Sequence, residues 1–317
     1  MCERSKILID VDTDVDAAIA LVIALQRECF DLLGITIVHG NANVEKAWLN
    51  TLRILKFFDS NDIRVVKGAV KPLTRNTVFY SPSEKSDIGL ENNDDNQSKT
   101  PSESKQTAWD FMYEKIQSVQ DKVTICLLGP CTNAALLIGK YPEIINKIER
   151  FVFSGGSHAS GTATPVATDN AYYDPDALQE LIHCGVPFFM ADLEATKDCF
   201  LRREDYETFV KPRGKELPRM LCRHAIGVPL HKSVTLLSIA CPEIFHFTKY
   251  KCEVELLGEI TLGMTVIYKN GFVGNERFSD GNILPVYVTE EEKNVYYLDK
   301  IDVPAVVNAI ITAVSEI

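Results

Sequence analysis

The stretch that decides the fold is residues 6–25, KILIDVDTDVDAAIALVIAL. Its first residues are hydrophobic and β-branched and predict a strand over 6–10, whereas its later small and apolar residues predict a helix over 17–28. Four aspartates lie between the two at every second position: Asp10, Asp12, Asp14 and Asp16. Because burying a lone carboxylate costs free energy, this cluster needs a cation, strong hydrogen-bond donors or water.

Three interpretations of the aspartates differ in what compensates them. Asp16 can simply cap the helix that is predicted to begin at Ala17. An EF-hand that begins at Asp12 is excluded, because Ala17 and Ile23 stand where the loop needs glycine and glutamate. The third interpretation is a ligand site at the carboxyl end of a parallel strand, where open α/β sheets bind their ligands.

Strand and helix patterns alternate through residue 190. They predict an α/β fold with a doubly wound, mostly parallel sheet. Further strands are predicted at 32–38, 63–66, 122–128, 148–153 and 187–190, with helices at 44–58, 107–117, 133–139 and 176–184. The later chain predicts extra C-terminal helices at 203–209, 217–226, 232–240 and 303–314, and a small antiparallel edge at 252–257 and 264–268.

The organisation of the chain is that of a single domain over residues 1–317, since no linker separates two independently patterned halves. Residues 74–107 are polar and acidic, and we interpret them as either a flap near the site or a disordered segment.

The composition of the chain argues against two classes of binding partner. The formal net charge of −11 argues against nucleic acid and against anionic membranes, which both need a basic face. No apolar run reaches the ~18 residues of a membrane span, and the N-terminus lacks the apolar segment of a signal peptide. The nine cysteines include no CxxC pair, so reduced thiols and a cytoplasmic location are expected.

Short motifs in a fixed order carry a resemblance to a known family. The run Asp10-x-Asp12-x-x-x-Asp16 resembles the N-terminal signature of the nucleoside hydrolases, usually D-x-D-x-G-x-D-D. Other landmarks follow in order: Gly40-Asn41, Gly68-Ala69, Gly129-Pro130-Cys131-Thr132-Asn133, Gly155-Gly156, Asn170, Asp174-Pro175 and His231.

This resemblance implies a calcium-dependent enzyme that cleaves the N-glycosidic bond of a nucleoside. Calcium would lower the pKa of a bound water, and an aspartate would take its proton. By position, Asp12 matches the general base that also ligates the metal, and the backbone carbonyl of Thr132 matches another calcium ligand. His231 matches the histidine near the leaving base, a general acid, although it can instead support the following helix.

The remaining matches concern the sugar. Asp16 matches the aspartate that holds a ribose hydroxyl, Asn41 and Asn170 match sugar-site asparagines, and Asp10 matches the supporting carboxylate before them.

Two departures remove calcium ligands of the family. Ala17 stands in place of the second aspartate of the signature, and Lys232 replaces the aspartate after His231. Calcium takes about 6–8 oxygen ligands and depends on their charge, whereas these changes remove two carboxylates and add an ammonium. We therefore expect no cofactor, and Ca²⁺ only if water or a shifted Asp14 rescues the site.

Lys232 is predicted to replace the metal by pairing with Asp12 and Asp16, the alternative being a side chain that points to solvent. Two other positions also depart from the family pattern: Asp14 stands for the signature glycine and Ser154 stands in the M-G-G turn. The substrate loop has Thr162, Thr168 and Asp169, and the loss of its usual Asn and Glu weakens the grip on ribose.

The sequence therefore predicts a degenerate nucleoside hydrolase homologue that binds a nucleoside or ribose-like small molecule, with hydrolysis lost or severely impaired. The alternative is a divergent purine or pyrimidine N-ribosyl hydrolase using Asp12, Asp16 and His231. The resemblance also implies a homo-oligomer, or a mixed oligomer with an active paralogue.

Overall fold

The computed structural model describes residues 4–76, 105–202, 204, 227, 229–277 and 282–315. Most of the predicted flap, residues 77–104, and the predicted helices at 203–209 and 217–226 lie outside these ranges, apart from residue 204.

The strands are named in chain order: β1 (Ser5–Val11), β2 (Phe30–Ile37), β3 (Val65–Lys67), β4 (Val123–Leu127), β5 (Ile148–Ser154), β6 (Phe188–Ala191), β7 (Phe245–Tyr250), β8 (Cys252–Val254), β9 (Thr265–Ile267), β10 (Phe272–Arg277), β11 (Ile283–Tyr287) and β12 (Val295–Ile301). The helices are α1 (Val15–Gln26), α2 (Val44–Phe57), α3 (Ala108–Gln117), α4 (Thr132–Lys140), α5 (Asp169–Tyr173), α6 (Pro175–His183), α7 (Leu193–Thr196), α8 (His231–Ala240) and α9 (Val303–Ser315).

Within the described ranges, eight strands form one central sheet in the order β3-β2-β1-β4-β5-β6-β12-β7. All neighbours in it are parallel except β12 and β7 at one edge. The predicted doubly wound, mostly parallel sheet is therefore confirmed.

Both faces of the sheet are covered, which explains why the strands are apolar on both sides. Along β1, Ile7 and Ile9 belong to one buried cluster, which includes residues of α1, α2, α8 and α9. Leu8 belongs to the other cluster, with residues of α3, α4 and α6. This alternation follows from the two-residue period of a strand.

The antiparallel part is larger than the sequence predicted. β8 and β9 pair antiparallel through Cys252–Val254 and Thr265–Ile267, as predicted. However, β7, the hairpin β10–β11, and β12 were not predicted. In β12, Val295 and Tyr297 are buried and lie two residues apart, so a period-2 pattern was present in the sequence.

Two further features concern the whole fold. No helix among the described residues has the length and apolar character needed to cross a membrane. Cys126 in β4 and Cys131 before α4 are buried free thiols.

Candidate ligand site at the carboxyl edge of the sheet

The candidate site lies at the carboxyl end of β1, which is flanked by β2 and β4. Because β2 and β3 continue to one side of β1 and β4 to β6 to the other, β1 and β4 form the topological switch point, where open α/β sheets bind ligands. The aspartates of the first turn therefore lie in the expected place for a ligand site.

Helix α1 begins at Val15, two residues earlier than predicted. Its N-cap is Asp14, whose Oδ1 accepts a hydrogen bond from the Ala17 N–H at 2.9 Å. The prediction that Asp16 caps a helix beginning at Ala17 is therefore wrong. Asp16 lies in the first turn of α1 and is free to contact another element.

The Asp16 carboxylate contacts the N-terminus of α8. It accepts hydrogen bonds from the Lys232 N–H at 2.6 Å, the Ser233 N–H at 3.0 Å and the Ser233 hydroxyl at 2.7 Å. A helix N-terminus favours an anion because its first N–H groups lack partners. Burial and the charge of Asp14 nevertheless raise the pKa of Asp16 to about 7, against these hydrogen bonds. Asp16 thus joins α1 to α8.

Lys232 provides a cation inside the aspartate cluster. Its Nζ lies 2.5 Å from Asp12 Oδ1 and 2.7 Å from Asp14 Oδ2, and its side chain is only 6% exposed. Burial alone would lower the pKa of Lys232, but the charges of Asp12 and Asp14 outweigh it and hold that pKa well above its usual range. The ammonium is therefore charged at neutral pH.

The predicted pairing of Lys232 is right for one partner and wrong for the other. Asp12 is a partner as predicted, but the second carboxylate is Asp14 instead of Asp16. The reason is that Asp16 already binds the backbone N–H of Lys232. Burial raises the pKa of Asp12 to about 6, while Lys232 outweighs burial and lowers the pKa of Asp14.

Asp10 lies behind this pair and has different surroundings. Its side chain is fully buried, and its Oδ1 accepts hydrogen bonds from the Thr36 hydroxyl at 2.6 Å and from Asn133 Nδ2 at 2.8 Å. Its Oδ2 has no hydrogen-bond partner among the described residues. Burial raises the pKa of Asp10 to about 7, despite the opposing hydrogen bonds. Asp10 therefore binds a proton across the mildly acidic range.

Asp10→Asn is expected to change how stability depends on pH. Because the folded-state pKa is raised from 3.8 to about 7, the stability due to the bound proton is present below about pH 4 and is lost as pH rises to about 7. Asparagine mimics the protonated form, so the stability of the variant relative to the parent should increase by about 2–3 kcal/mol between pH 5 and pH 8. Urea unfolding at both pH values measures this.

The matched control is Asp110→Asn, because Lys140 and other hydrogen-bond partners lower the pKa of Asp110. Asp110 is ionised in both folded and unfolded states over the same range, so its variant should differ from the parent by a constant amount. An equally constant difference for Asp10→Asn would contradict the buried, protonated Asp10.

Glycines at the ends of strands allow the backbone to approach the cluster closely. A Cβ on Gly40 would lie 2.1 Å from Asp12 Oδ2, and one on Gly68 would lie 2.3 Å from Asn133 Oδ1. The Gly40-Asn41 pair is therefore explained by packing: the glycine makes room for the Asp12 carboxylate. The next N–H, that of Asn41, donates to Asp12 Oδ2 at 2.6 Å.

A cavity of about 400 Å³ opens beside the cluster. Its lining includes the polar side chains of Asp14, Asp16, Asn41, Asn170, His231 and Lys232. Most of the sequence-predicted site residues therefore come together around one cavity. Asp12 and Asp10 are fully buried and do not belong to the lining.

The lining residues predicted for the sugar are fixed by neighbours. Asn170 Nδ2 donates to the carbonyls of Ser154 at 2.7 Å and Leu128 at 3.2 Å, while its Oδ1 has no partner among the described residues. Thr162 and Thr168, predicted as departures in the substrate loop, also line the cavity.

His231 begins α8, and its Nδ1 lies 2.6 Å from the Thr196 hydroxyl. This hydrogen bond orients an imidazole that lines the cavity. His231 is thus the first residue of α8 and lines the cavity, and its role as a general acid stays a prediction.

Thr132 lies outside the cavity lining. Its hydroxyl donates to Asp174 Oδ2 at 2.5 Å and is 2.9 Å from His39 Nε2. Burial lowers the pKa of His39 to about 4, so His39 is neutral and donates to Thr132. This buried His39–Thr132–Asp174 chain was not predicted, although Thr132 and Asp174 belong to quoted motifs and His39 directly precedes one.

A second polar cluster, which was not predicted, lies after β5 and β6. His158 Nδ1 lies 3.1 Å from Asp192 Oδ2, 3.2 Å from Glu194 Oε2 and 2.5 Å from the Tyr297 hydroxyl. Burial and the neighbouring Glu194 raise the pKa of Asp192 to about 9. Within the described ranges, His158, Asp192 and Glu194 are the one group of histidine, cysteine or acidic residues whose ligand atoms converge within 4.8 Å.

Asp12, Asp14 and Asp16, which lie around the junction of β1 and α1, do not fit a calcium ion. Each of their six carboxylate oxygens already accepts a hydrogen bond from the protein: Asp12 from Lys232 and Asn41, Asp14 from Ala17, Lys232 and Asn41, and Asp16 from Lys232 and Ser233. Calcium needs about 6–8 oxygens, and the ammonium repels a second cation. These three carboxylates are therefore engaged within the protein and not arranged to hold calcium.

The fold and the site together define an α/β protein with a cavity at the switch point of its sheet. The model of the inosine-uridine preferring nucleoside hydrolase family matches residues 7–308. The chain therefore belongs to the nucleoside hydrolase family.

Curated relatives agree with this assignment. The pyrimidine-specific ribonucleoside hydrolase RihA of Escherichia coli is 35% identical over 285 residues, covering 85% of this chain and 90% of the relative. RihA of Shewanella woodyi is 33% identical over 288 residues with the same coverage.

Solved structures share the fold. An inosine-guanosine nucleoside hydrolase (IG-NH) superposes with a TM-score of 0.84 at 21% identity, covering 99% of both chains. A plant nucleoside hydrolase, PpNRh1, gives a TM-score of 0.81 at 21% identity, covering 98% of this chain and 99% of that chain.

Proposed function

We propose that this protein binds the ribosyl part of a nucleoside, or a related ribose-containing small molecule, in the cavity beside α8. We further propose that calcium-dependent hydrolysis of the N-glycosidic bond is lost or severely impaired. The two parts rest on different residues and have separate tests.

The observation that carries the loss of hydrolysis is the burial of Asp12. The resemblance assigns the general base to this position, and a general base must reach the water it activates. Here Asp12 is fully buried, its Oδ1 binds Lys232 and its Oδ2 binds the Asn41 N–H. The only described carboxylates of the first turn that border the cavity are Asp14 and Asp16.

Ligand binding is supported by the chemistry of the lining. A volume of about 400 Å³ falls in the usual range of small-molecule pockets, about 300–1,000 Å³. Each ribose hydroxyl both donates and accepts, and the lining offers the carboxylate of Asp16 as an acceptor and the ammonium of Lys232 as a donor.

These residues do not indicate which nucleobase the ligand carries. Because the curated relatives are named for pyrimidine ribonucleosides, uridine is the first probe, and inosine and free ribose are the comparisons.

The experiment is calorimetric titration of uridine, inosine and ribose into protein in EDTA, with a reducing-sugar assay for released ribose with and without calcium. We expect binding of at least one ligand and no turnover. Turnover that calcium stimulates would contradict the loss of hydrolysis, whereas turnover independent of calcium would favour the divergent hydrolase that uses Asp12, Asp16 and His231. Absence of binding by all three would contradict ligand binding.

Leu193→Trp provides the control for the location of binding. Leu193 is buried and lines the cavity, so a larger side chain there should abolish the binding signal. The matched variant is Leu136→Trp, which enlarges a side chain in a separate groove and should leave binding unchanged. Equal loss in both variants would place the ligand elsewhere.

A further inference from the structure

We propose that the Lys232 ammonium is a built-in cation that replaces the divalent metal ion and holds a hydroxyl of the ribosyl ligand, so that binding needs no metal. This inference rests on the proposed ligand, but its first half concerns only the protein and can be tested without the ligand.

The Lys232 ammonium lies between two carboxylates of the aspartate cluster. Lys232 Nζ lies 2.5 Å from Asp12 and 2.7 Å from Asp14, which are hydrogen-bonding distances for a charged pair. The resemblance places a calcium-binding carboxylate at position 232 and the metal-ligating base at position 12. The lysine therefore brings a positive charge to the carboxylate that would otherwise bind the metal.

Two residues of this cluster differ from the family signature, and the two changes introduce opposite charges. Asp14 stands where the signature has glycine, and Lys232 stands where it has aspartate. These two residues contact each other, so the added carboxylate and the added ammonium compensate one another. A random loss of the metal site would not require this pairing, whereas replacement of the metal by an internal cation does.

Every carboxylate oxygen of Asp12, Asp14 and Asp16 already accepts a hydrogen bond from the protein. Asp14 Oδ1 caps α1 at 2.9 Å from the Ala17 N–H, and its Oδ2 binds Lys232 and, at 3.0 Å, Asn41 Nδ2. Asp12 and Asp16 are similarly engaged on both oxygens. A metal ion would have to break several of these hydrogen bonds and displace the ammonium.

The Lys232 ammonium has one more N–H donor than the two carboxylates use. A lysine ammonium has three N–H donors, and Asp12 and Asp14 accept from it in the described residues. Lys232 also borders the cavity, together with Asp14 and Asp16. A ligand hydroxyl at this place can accept from Lys232 and donate to one of the neighbouring carboxylates, which is the contact expected for a vicinal diol.

The first test is calcium titration by calorimetry into metal-stripped protein, beside the double variant Ala17→Asp plus Lys232→Asp. We expect no calcium binding by the parent and measurable binding by the double variant, since the two ligand positions are then restored. Micromolar binding of calcium by the parent would overturn the inference whatever the ligand result.

The second test is titration of uridine and ribose in EDTA and in calcium, with the parent and with Lys232→Met. For the parent we expect equal affinity in both buffers. For Lys232→Met we expect about tenfold or greater weakening in both, as for loss of a hydrogen bond to a charged group. Affinity that needs calcium, or that survives Lys232→Met, would overturn the inference.

The two tests separate failure of this inference from failure of the proposed function. If the parent binds neither calcium nor ligand, the proposed function and the hydroxyl contact fail, while the calcium result alone supports the replacement of the metal. Thermal unfolding followed by circular dichroism checks the fold of each variant. Lys232→Met combined with Asp14→Asn restores the local charge balance if the single variant unfolds, and it still lacks the ammonium that the ligand test requires.

Discussion

Replacement of Lys232 by methionine is expected to lower the free energy of unfolding by about 3–5 kcal/mol, the usual cost of removing one partner of a buried ion pair. The variant keeps most of the side-chain volume but leaves Asp12 and Asp14 buried without their cation. Urea unfolding at neutral pH measures the loss.

The pH dependence of this loss follows from the charges. Asp14 has a lowered pKa, so its contribution is present above 3.8 and is lost as pH falls. Lys232 has a raised pKa, so its contribution is present below 10.5 and is lost as pH rises. The deficit of Lys232→Met should therefore be largest near neutral pH and should shrink as the pH falls below about 4.

Two comparisons decide between loss of charge compensation and general damage. Lys140→Met removes the cation of an exposed pair with Asp110 and should cost less than about 1 kcal/mol. Adding Asp12→Asn and Asp14→Asn to Lys232→Met should recover much of the loss, because the uncompensated charges are then gone. If the triple variant were less stable than the single one, the charge explanation would be wrong.

Gly40→Ala is expected to lower the free energy of unfolding by about 1–3 kcal/mol, the range for overpacking a dense core. The new Cβ would overlap Asp12 Oδ2, and that carboxylate is fully buried between Lys232 and the Asn41 N–H. Asp12 must move, so the variant should also weaken the Asp12–Lys232 pair. Thermal and urea unfolding measure the first effect.

Gly139→Ala is the matched substitution. Gly139 lies near the end of α4, and a Cβ there would meet nothing within 4 Å. Alanine in a helix is favoured over glycine by roughly 0.5–1 kcal/mol, so this variant should be slightly more stable than the parent. Equal effects of the two substitutions would show that the close approach at Gly40 is not the cause.

The sequence predicted the parallel part of the fold because each strand ends at glycine or aspartate and is apolar on both faces. It also predicted the family and the cluster of site residues. Asp16, Asn41 and Asn170 follow strands whose carboxyl ends meet at one edge, and His231 was assigned to the site by the family resemblance. Pairing of Lys232 with Asp12 was predicted from its charge together with the family resemblance, which places position 232 at the site.

Other parts depend on contacts that a linear pattern does not contain. The cap at Asp14 instead of Asp16 depends on α8, whose N-terminus takes the Asp16 carboxylate. The insertion of β12 between β6 and β7 depends on pairing across more than a hundred residues. The contacts of His158 with Asp192 and Tyr297 join the segments after β5 and β6 to strand β12, and none of these residues belongs to a quoted motif.

The contacts between the first turn and α8 also determine when the site can form. Asp16 and Lys232 are 216 positions apart, and Asp12 and Lys232 are 220 positions apart. During synthesis, the aspartates leave the ribosome long before their cation does. Since ionised carboxylates stay in water until they are compensated, β1 and α1 cannot complete their packing early, and closure of such a distant contact is slow. The docking of α8 against β1 and α1 should therefore be the last step of folding.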